Sequence, residues 1–209
     1  MSLSLHERSL TPTELALVAD GELFRSKERI ILKVRDLLAE LRTGLEEDLA
    51  RTTLLLPPGF DPAKSQSVKG EHLEQCPYQY LDYPKHFLGD DKFTFRTLCW
   101  WGHHLVLAMI VEGGQVKQFK KNFVDRFHQL AGHGLELSLV PTLWEWKRGE
   151  GYTLPITHDR KAQLAAVLSG RAWFKIARFV PLDSSALRDG RLAELGRETF
   201  RSLLPLLTP

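Results

Sequence analysis

The chain has 209 residues, of which 43% are hydrophobic and 26% are charged, a composition typical of an ordinary globular protein rather than a disordered or fibrous one. Its 28 basic and 26 acidic side chains leave a formal charge of +2, which argues against a surface dedicated to nucleic acid. No apolar run reaches the roughly 18 residues of a membrane-spanning helix and no secretory leader pattern is present, so we expect no membrane partner and a cytoplasmic location.

The first predicted element is a short helix that begins at Thr11-Pro12. Threonine can cap a helix, proline suits the first helical position, and Glu14 lies in the positive first turn. A second helix is predicted from about Glu22 to Leu49, because apolar residues recur there at intervals of three and four. The side chains predicted to face the core from this helix are Leu23, Ile30, Val34, Leu37, Leu41 and Leu45.

Residues 57–77 show no periodicity and carry four prolines and two glycines. This composition predicts a loop of about 20 residues, which is long for a compact domain. Loops of this length are usually either functional or mobile, and both interpretations stay open at this point.

From Tyr78 onward, strands dominate the prediction. A first strand covers Tyr78–Tyr83 and ends at Pro84, and two further runs rich in aromatic and aliphatic residues cover Phe93–Trp101 and His104–Val111. Gly102 lies between these two runs. It predicts a hairpin with a type II′ turn at Gly102-His103, since that turn needs a positive φ at its first central residue.

The predicted turn determines the register of this hairpin. Trp101 should pair with His104, and Trp100 should pair with Leu105. Both faces of the hairpin are then apolar, so we expect it in the middle of the molecule, covered on both sides.

The rest of the chain mixes helical and strand patterns. The predicted elements are a helix from Gly114 to Leu130, a strand over Leu135–Leu139, a hairpin of Leu143–Trp146 and Tyr152–Ile156, a helix over Asp159–Leu168, a strand over Trp173–Val180 and a helix over Leu187–Leu207. Regular alternation of strand and helix is missing, so we predict an α+β fold. It should have a mainly antiparallel sheet with a central hairpin, covered by N-terminal and C-terminal helices, in one domain over residues 1–209.

Histidine and cysteine residues suggest a metal hypothesis, which their spacing does not favour. His103 and His104 are adjacent, and consecutive strand residues point to opposite faces, so their rings do not easily converge on one ion. Cys76 and Cys99 have neither a zinc-site nor a redox spacing, and Cys99 is expected to be a small buried hydrophobe. The familiar nucleotide-binding and hydrolase motifs are also missing. The sequence therefore predicts neither a metal site nor a cofactor.

Arg96 stands among apolar residues of a predicted strand, where a buried guanidinium needs a carboxylate partner. Asp82 is the first candidate partner and Glu74 the second; the other hypothesis is that Arg96 points into a cleft and binds an anionic ligand. The residues predicted to form this aromatic cleft are Lys69, Glu71, His72, Tyr80, Asp82, Tyr83, His86 and Arg96. Core packing with a tyrosine-rich rim explains the same composition without a ligand.

The segment from Lys69 to Gly102 resembles a family of bacterial proteins of uncharacterised activity. The motifs that carry the resemblance are Lys69-Gly70-Glu71, Pro77-Tyr78, Leu81-Asp82-Tyr83-Pro84, Phe95-Arg96-Thr97 and Trp100-Trp101-Gly102. Where the family pattern has Asn or another polar residue after Gly102, this chain has His103, which is compatible with a turn. The resemblance implies a bacterial cytoplasmic protein and assigns no catalytic residue.

The sequence leaves three functional hypotheses open. The leading one is a domain that binds a small anionic ligand or a protein partner in the aromatic cleft. The second is an enzyme in which His72 or His86 acts with Asp82 in acid–base catalysis while Arg96 holds an anion. The third is a nucleic-acid-associated protein with stacking tryptophans and a basic helix face. The residues of this third hypothesis are Trp144, Trp146, Lys117, Lys120, Lys121 and Arg126.

Overall fold

The structure is a computed structural model that describes residues 9–209. The chain divides into two compact units, Met1–Asp36 and Leu37–Pro209. In the first unit, the described residues form helix α1 (Pro12–Ala19) and the first part of helix α2 (Gly21–Ala50). The expectation of one domain over residues 1–209 stays a prediction.

Local hydrogen bonds define the start of both helices. Thr11 Oγ1 accepts the N–H of Glu14 at 3.3 Å, and the Glu14 carboxylate accepts the N–H of Thr11 at 2.7 Å, which together form a capping box. Asp20 Oδ1 then accepts the N–H groups of Glu22 and Leu23, at 2.9 and 3.0 Å, at the start of α2. The two predicted helices are therefore confirmed.

The apolar stripe of α2 is only partly as predicted. The large apolar side chains that α2 buries are Ile31, Val34, Leu38, Leu41 and Leu45. Leu23 and Ile30 are each 44% exposed, so their predicted place in the core is wrong. The buried residues Leu45, Leu38 and Ile31 are spaced by seven and lie on one side of the helix. The predicted stripe passes through Ile30 instead of Ile31 and is therefore wrong by one residue at this point.

The second unit contains, within its described residues, a seven-stranded sheet in which every neighbouring pair is antiparallel. The strands are β1 (Gln66–Leu73), β2 (Cys76–Leu88), β3 (Asp91–Trp100), β4 (His104–Glu112), β5 (Leu135–Ser138), β6 (Thr153–Pro155) and β7 (Trp173–Pro181). Their order across the sheet is β1-β2-β3-β4-β7-β5-β6, which confirms the α+β class and the central hairpin β3–β4.

Helices of the second unit pack on one face of this sheet. They include the C-terminal part of α2 and the helices α3 (Val116–Asp125), α4 (Phe127–Leu130), α5 (Lys161–Ser169), α6 (Ser185–Arg188), α7 (Leu192–Ser202) and α8 (Leu204–Leu207). Phe119 contacts Phe93 with 6.0 Å between ring centroids, and Phe200 contacts Phe95 at 5.4 Å. None of the described helices is long and apolar enough to cross a membrane.

An irregular segment, residues 139–152, lies on the opposite face, and we call it the covering segment. Its Leu143 and Trp146 pack in one cluster with Leu98 and Ala108 of the central hairpin. Side chains of a strand alternate between the two faces, so β3 and β4 are buried on both sides, as predicted. The second cover, however, is a loop rather than a helix.

The prediction of one long loop over residues 57–77 is wrong. Strand β1 covers Gln66–Leu73, and β2 begins at Cys76. Because β1 is an edge strand whose side chains are exposed or only half-buried, it lacks the apolar repeat that marks an inner strand.

Strand β2 does not end at Pro84, contrary to the prediction. Its register with β3 shifts between Asp82 and Lys85, and the Pro84 carbonyl accepts the Thr94 hydroxyl at 2.9 Å. On its other side, β2 pairs with β1 only as far as Asp82. Pro84 has no N–H to donate, but beyond Asp82 β1 does not pair with β2, so the sheet loses no hydrogen bond there. The strand therefore continues to Leu88.

The predicted register of the central hairpin is wrong by one residue. Trp100 pairs with His104 instead of Leu105, so the loop contains three residues rather than two. The glycine of this loop has the expected positive φ, of 73°. The N–H of Trp101 donates to the Pro77 carbonyl at 3.0 Å, which ties Trp101 to β2 and removes it from the pairing with His104.

Two later predictions also differ from the structure. Residues 143–146 form no hairpin with residues 152–156; instead β6 pairs with β5. The predicted C-terminal helix consists of three shorter helices, and Gly190, with a positive φ of 70°, separates the first two.

The turn from β4 into α3 contains two glycines, of which only the first requires that residue type. Gly113 has a φ of +97°, and a Cβ there would lie 2.9 Å from the Asp91 Cα, whereas Gly114 has open space at the same position. We expect Gly113→Ala to lower the free energy of unfolding by about 1–3 kcal/mol and Gly114→Ala to change it by less than about 0.5 kcal/mol. Urea unfolding of both variants checks this, and equal losses would contradict it.

Candidate functional site

Arg96 and Asp82 form a buried ion pair on the sheet face beneath the covering segment. The register of β2 and β3 sets the two residues opposite each other. Arg96 Nε donates to Asp82 Oδ1 at 2.7 Å, and Nη2 donates to Oδ2 at 2.6 Å. Asp82 is 0% and Arg96 7% exposed. The first predicted partner of Arg96 is therefore confirmed, while Glu74, the second candidate, lies 2.5 Å from Lys147 Nζ.

Three aromatic rings surround the Arg96 guanidinium. Its Cζ lies 3.8 Å from the ring centroid of Tyr80, 4.7 Å from that of Trp144 and 5.4 Å from that of Trp146. Cation–π contacts are stronger where water is excluded. Burial raises the pKa of the Tyr80 hydroxyl, although the charge of Arg96 opposes this shift. The bidentate pair and the rings together make Arg96 a structural cation rather than an open anchor for an anion.

A second buried cation holds the covering segment in place. Lys175 is the third residue of β7 and is almost fully buried. Its Nζ donates to the carbonyl oxygens of Leu143, at 2.9 Å, and of Glu145, and it lies 4.2 Å from the ring centroid of Trp146. Burial lowers the pKa of Lys175 to about 7. The predicted sites do not include Lys175, although a lysine flanked by Phe174 and Ile176 in a predicted strand is a signal for a buried cation.

The structure separates the residues that the sequence predicts to form one cleft. Tyr80, Asp82 and Arg96 lie together beneath the covering segment. Lys69 and His72 lie on the edge strand β1, and both are exposed. The exposed pair is therefore not part of the same site as the buried group.

Tyr83 and His86 lie on the helical face. The register shift in β2 places His86 opposite Phe93, and the His86 ring centroid lies 6.4 Å from that of Phe60. The ring of Tyr83 lies 5.6 Å from Arg42 Cζ of α2. Both side chains are buried, and His86 Nε2 has no hydrogen-bond partner among the described residues.

Two exposed aromatic rings are in contact on the second unit. Its described residues that are large, apolar and exposed are Phe87, Leu88, Val124 and Trp144. The rings of Phe87 and Trp144 are in contact, with 6.2 Å between centroids, and Leu88 follows Phe87 in β2. The exposed fractions are 38% for Phe87, 64% for Leu88 and 42% for Trp144. We call Phe87 and Trp144 the Trp144 surface.

A cleft of about 250 Å³ adjoins the Trp144 surface, and we call it the lysine cleft. Its lining residues are Gly59, Lys64, Lys85, His86, Phe87 and Leu88. Lys64 comes from the segment before β1, and Lys85 comes from β2, where its Nζ lies 5.2 Å from the ring centroid of Phe87. None of these described lining residues is acidic. The cleft therefore combines an apolar wall with two cations.

Two larger clefts, of about 660 and 590 Å³, lie elsewhere in the second unit. In the first, the Glu136 carboxylate accepts the Nε–H of Arg148 at 2.7 Å. In the second, Lys120 and Arg171 each donate to a backbone carbonyl, at 3.1 and 2.7 Å. Neither cleft has an aromatic residue among its described lining residues. Their size alone does not make them better candidates than the lysine cleft.

Metal-ligating side chains do not converge within residues 9–209: no group of three His, Cys, Asp or Glu residues there could hold an ion. The ring of His103 stacks on Trp100 at 3.6 Å, whereas His104 Nε2 lies 2.9 Å from the Trp146 carbonyl oxygen. Burial raises the pKa of the Cys99 thiol to about 11, which disfavours the thiolate that a nucleophile needs.

Comparisons with protein-family models, curated proteins and solved structures found no match. The resemblance of the segment from Lys69 to Gly102 to a bacterial family stays an expectation.

Loss of one member of the Arg96–Asp82 pair should destabilise the protein more than loss of both. Arg96→Met leaves the Asp82 carboxylate buried without its counterion, and we expect the free energy of unfolding to fall by about 3 kcal/mol. The double variant Arg96→Met/Asp82→Leu should lose less, since the buried charge is removed as well. Urea unfolding of the three proteins measures the difference, and a double variant less stable than Arg96→Met would contradict it.

The buried amine of Lys175 should make stability depend on pH. Its pKa of about 7 in the folded protein lies below the ~10.4 of an unfolded lysine, so unfolding takes up a proton between these values. The penalty for burying the charge is complete below about pH 7 and disappears as the pH rises toward about 10. Over this range, urea unfolding should show the natural chain gaining stability relative to Lys175→Met. A constant difference between the two proteins would refute the assignment.

Proposed function

We propose that this protein is a binding domain whose ligand is a small molecule with a flat apolar part and an anionic group. The proposed site is the Trp144 surface together with the lysine cleft. The observation that carries the proposal is the contact between two half-exposed rings, Phe87 and Trp144, beside a cleft that contains Lys64 and Lys85. A flat apolar group stacks on such rings, and an anionic group binds to lysines.

Contacts within the chain hold Trp144 in place, which supports a binding role. Its ring lies 4.7 Å from the Arg96 guanidinium carbon. Lys175 binds the carbonyl oxygens of Leu143 and Glu145, the residues on either side of Trp144. A ring that is already ordered loses little conformational entropy when a ligand binds, and affinity benefits accordingly.

The dimensions of the site favour a small ligand over an extended peptide. A volume of about 250 Å³ lies just below the ~300 Å³ of the smaller ligand pockets, so the cleft suits the anionic group while the flat part rests on the rings. The outer edge of β2 beyond Asp82 is not paired with β1. Pro84 lacks an N–H and Lys85 carries a charge, and both features hinder the addition of a peptide strand to that edge.

The geometry gives less support to acid–base catalysis. Both carboxylate oxygens of Asp82 are bound by Arg96 in the buried pair. His86 lies on the other face of the sheet, and His72 is exposed on β1. Neither histidine therefore shares a site with the carboxylate that the enzyme hypothesis needs.

The basic helix face gives less support to nucleic-acid binding. Lys120 donates to a backbone carbonyl at 3.1 Å, Lys121 to a carboxylate one turn further along at 2.7 Å, and Arg126 to a carbonyl of α8 at 3.2 Å. Three of its four cations are thus bound within the chain. Of the two candidate stacking residues, Trp144 is exposed and Trp146 is buried.

We also propose that the protein works in the bacterial cytoplasm. The resemblance of the segment from Lys69 to Gly102 supports this location. The free thiols of Cys76 and Cys99 are compatible with it, since stable disulfides belong mainly to oxidising compartments.

Binding of 2-naphthoate tests the proposed site, with 2-naphthamide as its neutral counterpart. We expect naphthoate to bind more tightly, because only naphthoate carries a charge that Lys64 and Lys85 can bind. Trp144→Ala should weaken the binding of both probes by up to about tenfold, since an aromatic pair contributes ~0.5–1.5 kcal/mol beyond its buried area. Lys64→Met/Lys85→Met should weaken the binding of naphthoate alone. Isothermal titration calorimetry gives the Kd values.

Two substitutions on α3, outside the site, are matched controls. Lys117→Met removes an exposed cation, and Val124→Ala shortens an exposed apolar side chain. Both should leave the Kd values unchanged. Equal affinity for the charged and neutral probes, or natural affinity in Trp144→Ala, would rule out the proposed site.

A further inference from the structure

Most exposed apolar side chains of the described residues belong to the first unit. Of the twelve large hydrophobic side chains that are exposed in residues 9–209, eight lie in residues 9–36, which we call the N-terminal arm. They are Leu10, Leu15, Leu17, Val18, Leu23, Phe24, Ile30 and Leu32, with exposed fractions of 40–63%. An apolar surface of this extent marks a place where another molecule binds.

Helix α1 in particular requires a surface to pack against. It has eight residues, and none of them is buried. Helices shorter than about 12–15 residues are marginal in water, and a helix that is apolar on most sides is normally covered. The capping box stabilises the start of α1 but buries no apolar side chain.

The exposed side chains of α2 continue a stripe with the spacing of a helix-packing seam. Phe24 precedes Ile31 by seven residues, and Ile31 precedes Leu38 by seven, so the three lie on one side of α2. Ile31 and Leu38 are buried, whereas Phe24 is exposed. The seam therefore extends into the N-terminal arm, where Phe24, its first large apolar residue, is exposed.

Charges are distributed unevenly along the N-terminal arm. Residues 9–24 carry three acidic side chains and no basic one, whereas residues 25–35 carry five basic side chains and one acidic. The acidic residues of the first stretch are Glu14, Asp20 and Glu22, and the basic residues of the second are Arg25, Lys27, Arg29, Lys33 and Arg35. If two arms pair in antiparallel orientation, the acidic end of each lies beside the basic end of the other.

We infer that the N-terminal arm binds a second copy of this chain, as an antiparallel pair of arms related by a two-fold axis. Such a pair brings the same surface of both copies together, so that surface must complement itself, and the uneven charge provides this. The exposed fractions of 40–63% leave much of each of these side chains free to enter such an interface, and a standard interface buries ~800 Å² per partner.

The charge balance of the arm argues against a lipid surface as its partner. Residues 9–36 carry five acidic and five basic side chains, whereas helices that lie on membranes are rich in Lys and Arg. Glu22 bonds to Arg25 and Arg29 within the chain, at 3.1 and 2.5 Å. These pairs are exposed and contribute little stability, so they can exchange for pairs between two copies.

Sedimentation equilibrium of the full chain tests the inference. The natural chain should form a dimer of twice its 23.9 kDa mass at micromolar concentration. Phe24→Asp should weaken dimerisation because it places a charge in the apolar seam. Lys33→Glu/Arg35→Glu removes the basic end, and Glu14→Lys/Glu22→Lys removes the acidic end; each should weaken self-association at least about tenfold. A mixture of these two double variants should regain the dimer, since each supplies the charge that the other lacks.

Lys117→Glu/Arg188→Glu is the matched control, since it reverses two exposed cations of the second unit. This variant should dimerise like the natural chain. A natural chain that stays monomeric at about 100 μM, far above the Kd expected of a standard interface, overturns the inference. So does a dimer that survives Phe24→Asp, or a mixture of double variants that stays monomeric. Binding of a monomeric chain to phosphatidylglycerol vesicles would identify a lipid surface as the partner instead.

Discussion

The buried amine of Lys175 is the contact on which one whole face of the sheet depends. The covering segment is irregular, so its backbone carbonyls have no strand ladder to bind to, and the amine takes those of Leu143 and Glu145. A lysine amine donates hydrogen bonds whether or not it is charged, so the tie does not require the charged form. Through this tie, Leu143 and Trp146 stay packed on the sheet and keep water away from β3 and β4.

The same tie shapes the candidate site. Trp144 lies between the two bound carbonyls, and its ring remains exposed while the ring of Trp146 is buried. Beneath Trp144, the buried Arg96–Asp82 ion pair lies on the face of the sheet that the covering segment covers. The site therefore combines residues of β2 and the covering segment, which are more than fifty positions apart in the chain, and its aromatic surface is ordered by contacts that no ligand has to make.

What the sequence predicts well depends on local pattern, and what it misses depends on distant contacts. The start of the first helix follows from Thr11, and the Arg96–Asp82 pair follows from a charge in an apolar strand that has few possible partners. The hairpin register depends on a bond from Trp101 to β2, which no local pattern encodes. Of the predicted cleft residues, His86 alone lines the lysine cleft. Exposure of Trp144 depends on Lys175, thirty-one positions away, so the sequence alone does not reveal it.

The position of β7 has a consequence for how the protein is made. It is the last strand of the chain, yet it lies between β4 and β5, and it pairs with β4 from His104 to Glu112. While the ribosome synthesises the chain, one apolar edge of β4 therefore stays open until residues 173–181 have emerged, and β5 has no sheet to join. An open edge of this kind pairs readily with other chains. Completion of the sheet thus waits for residues 173–181, and a ribosome that stalls before Trp173 leaves an aggregation-prone nascent chain.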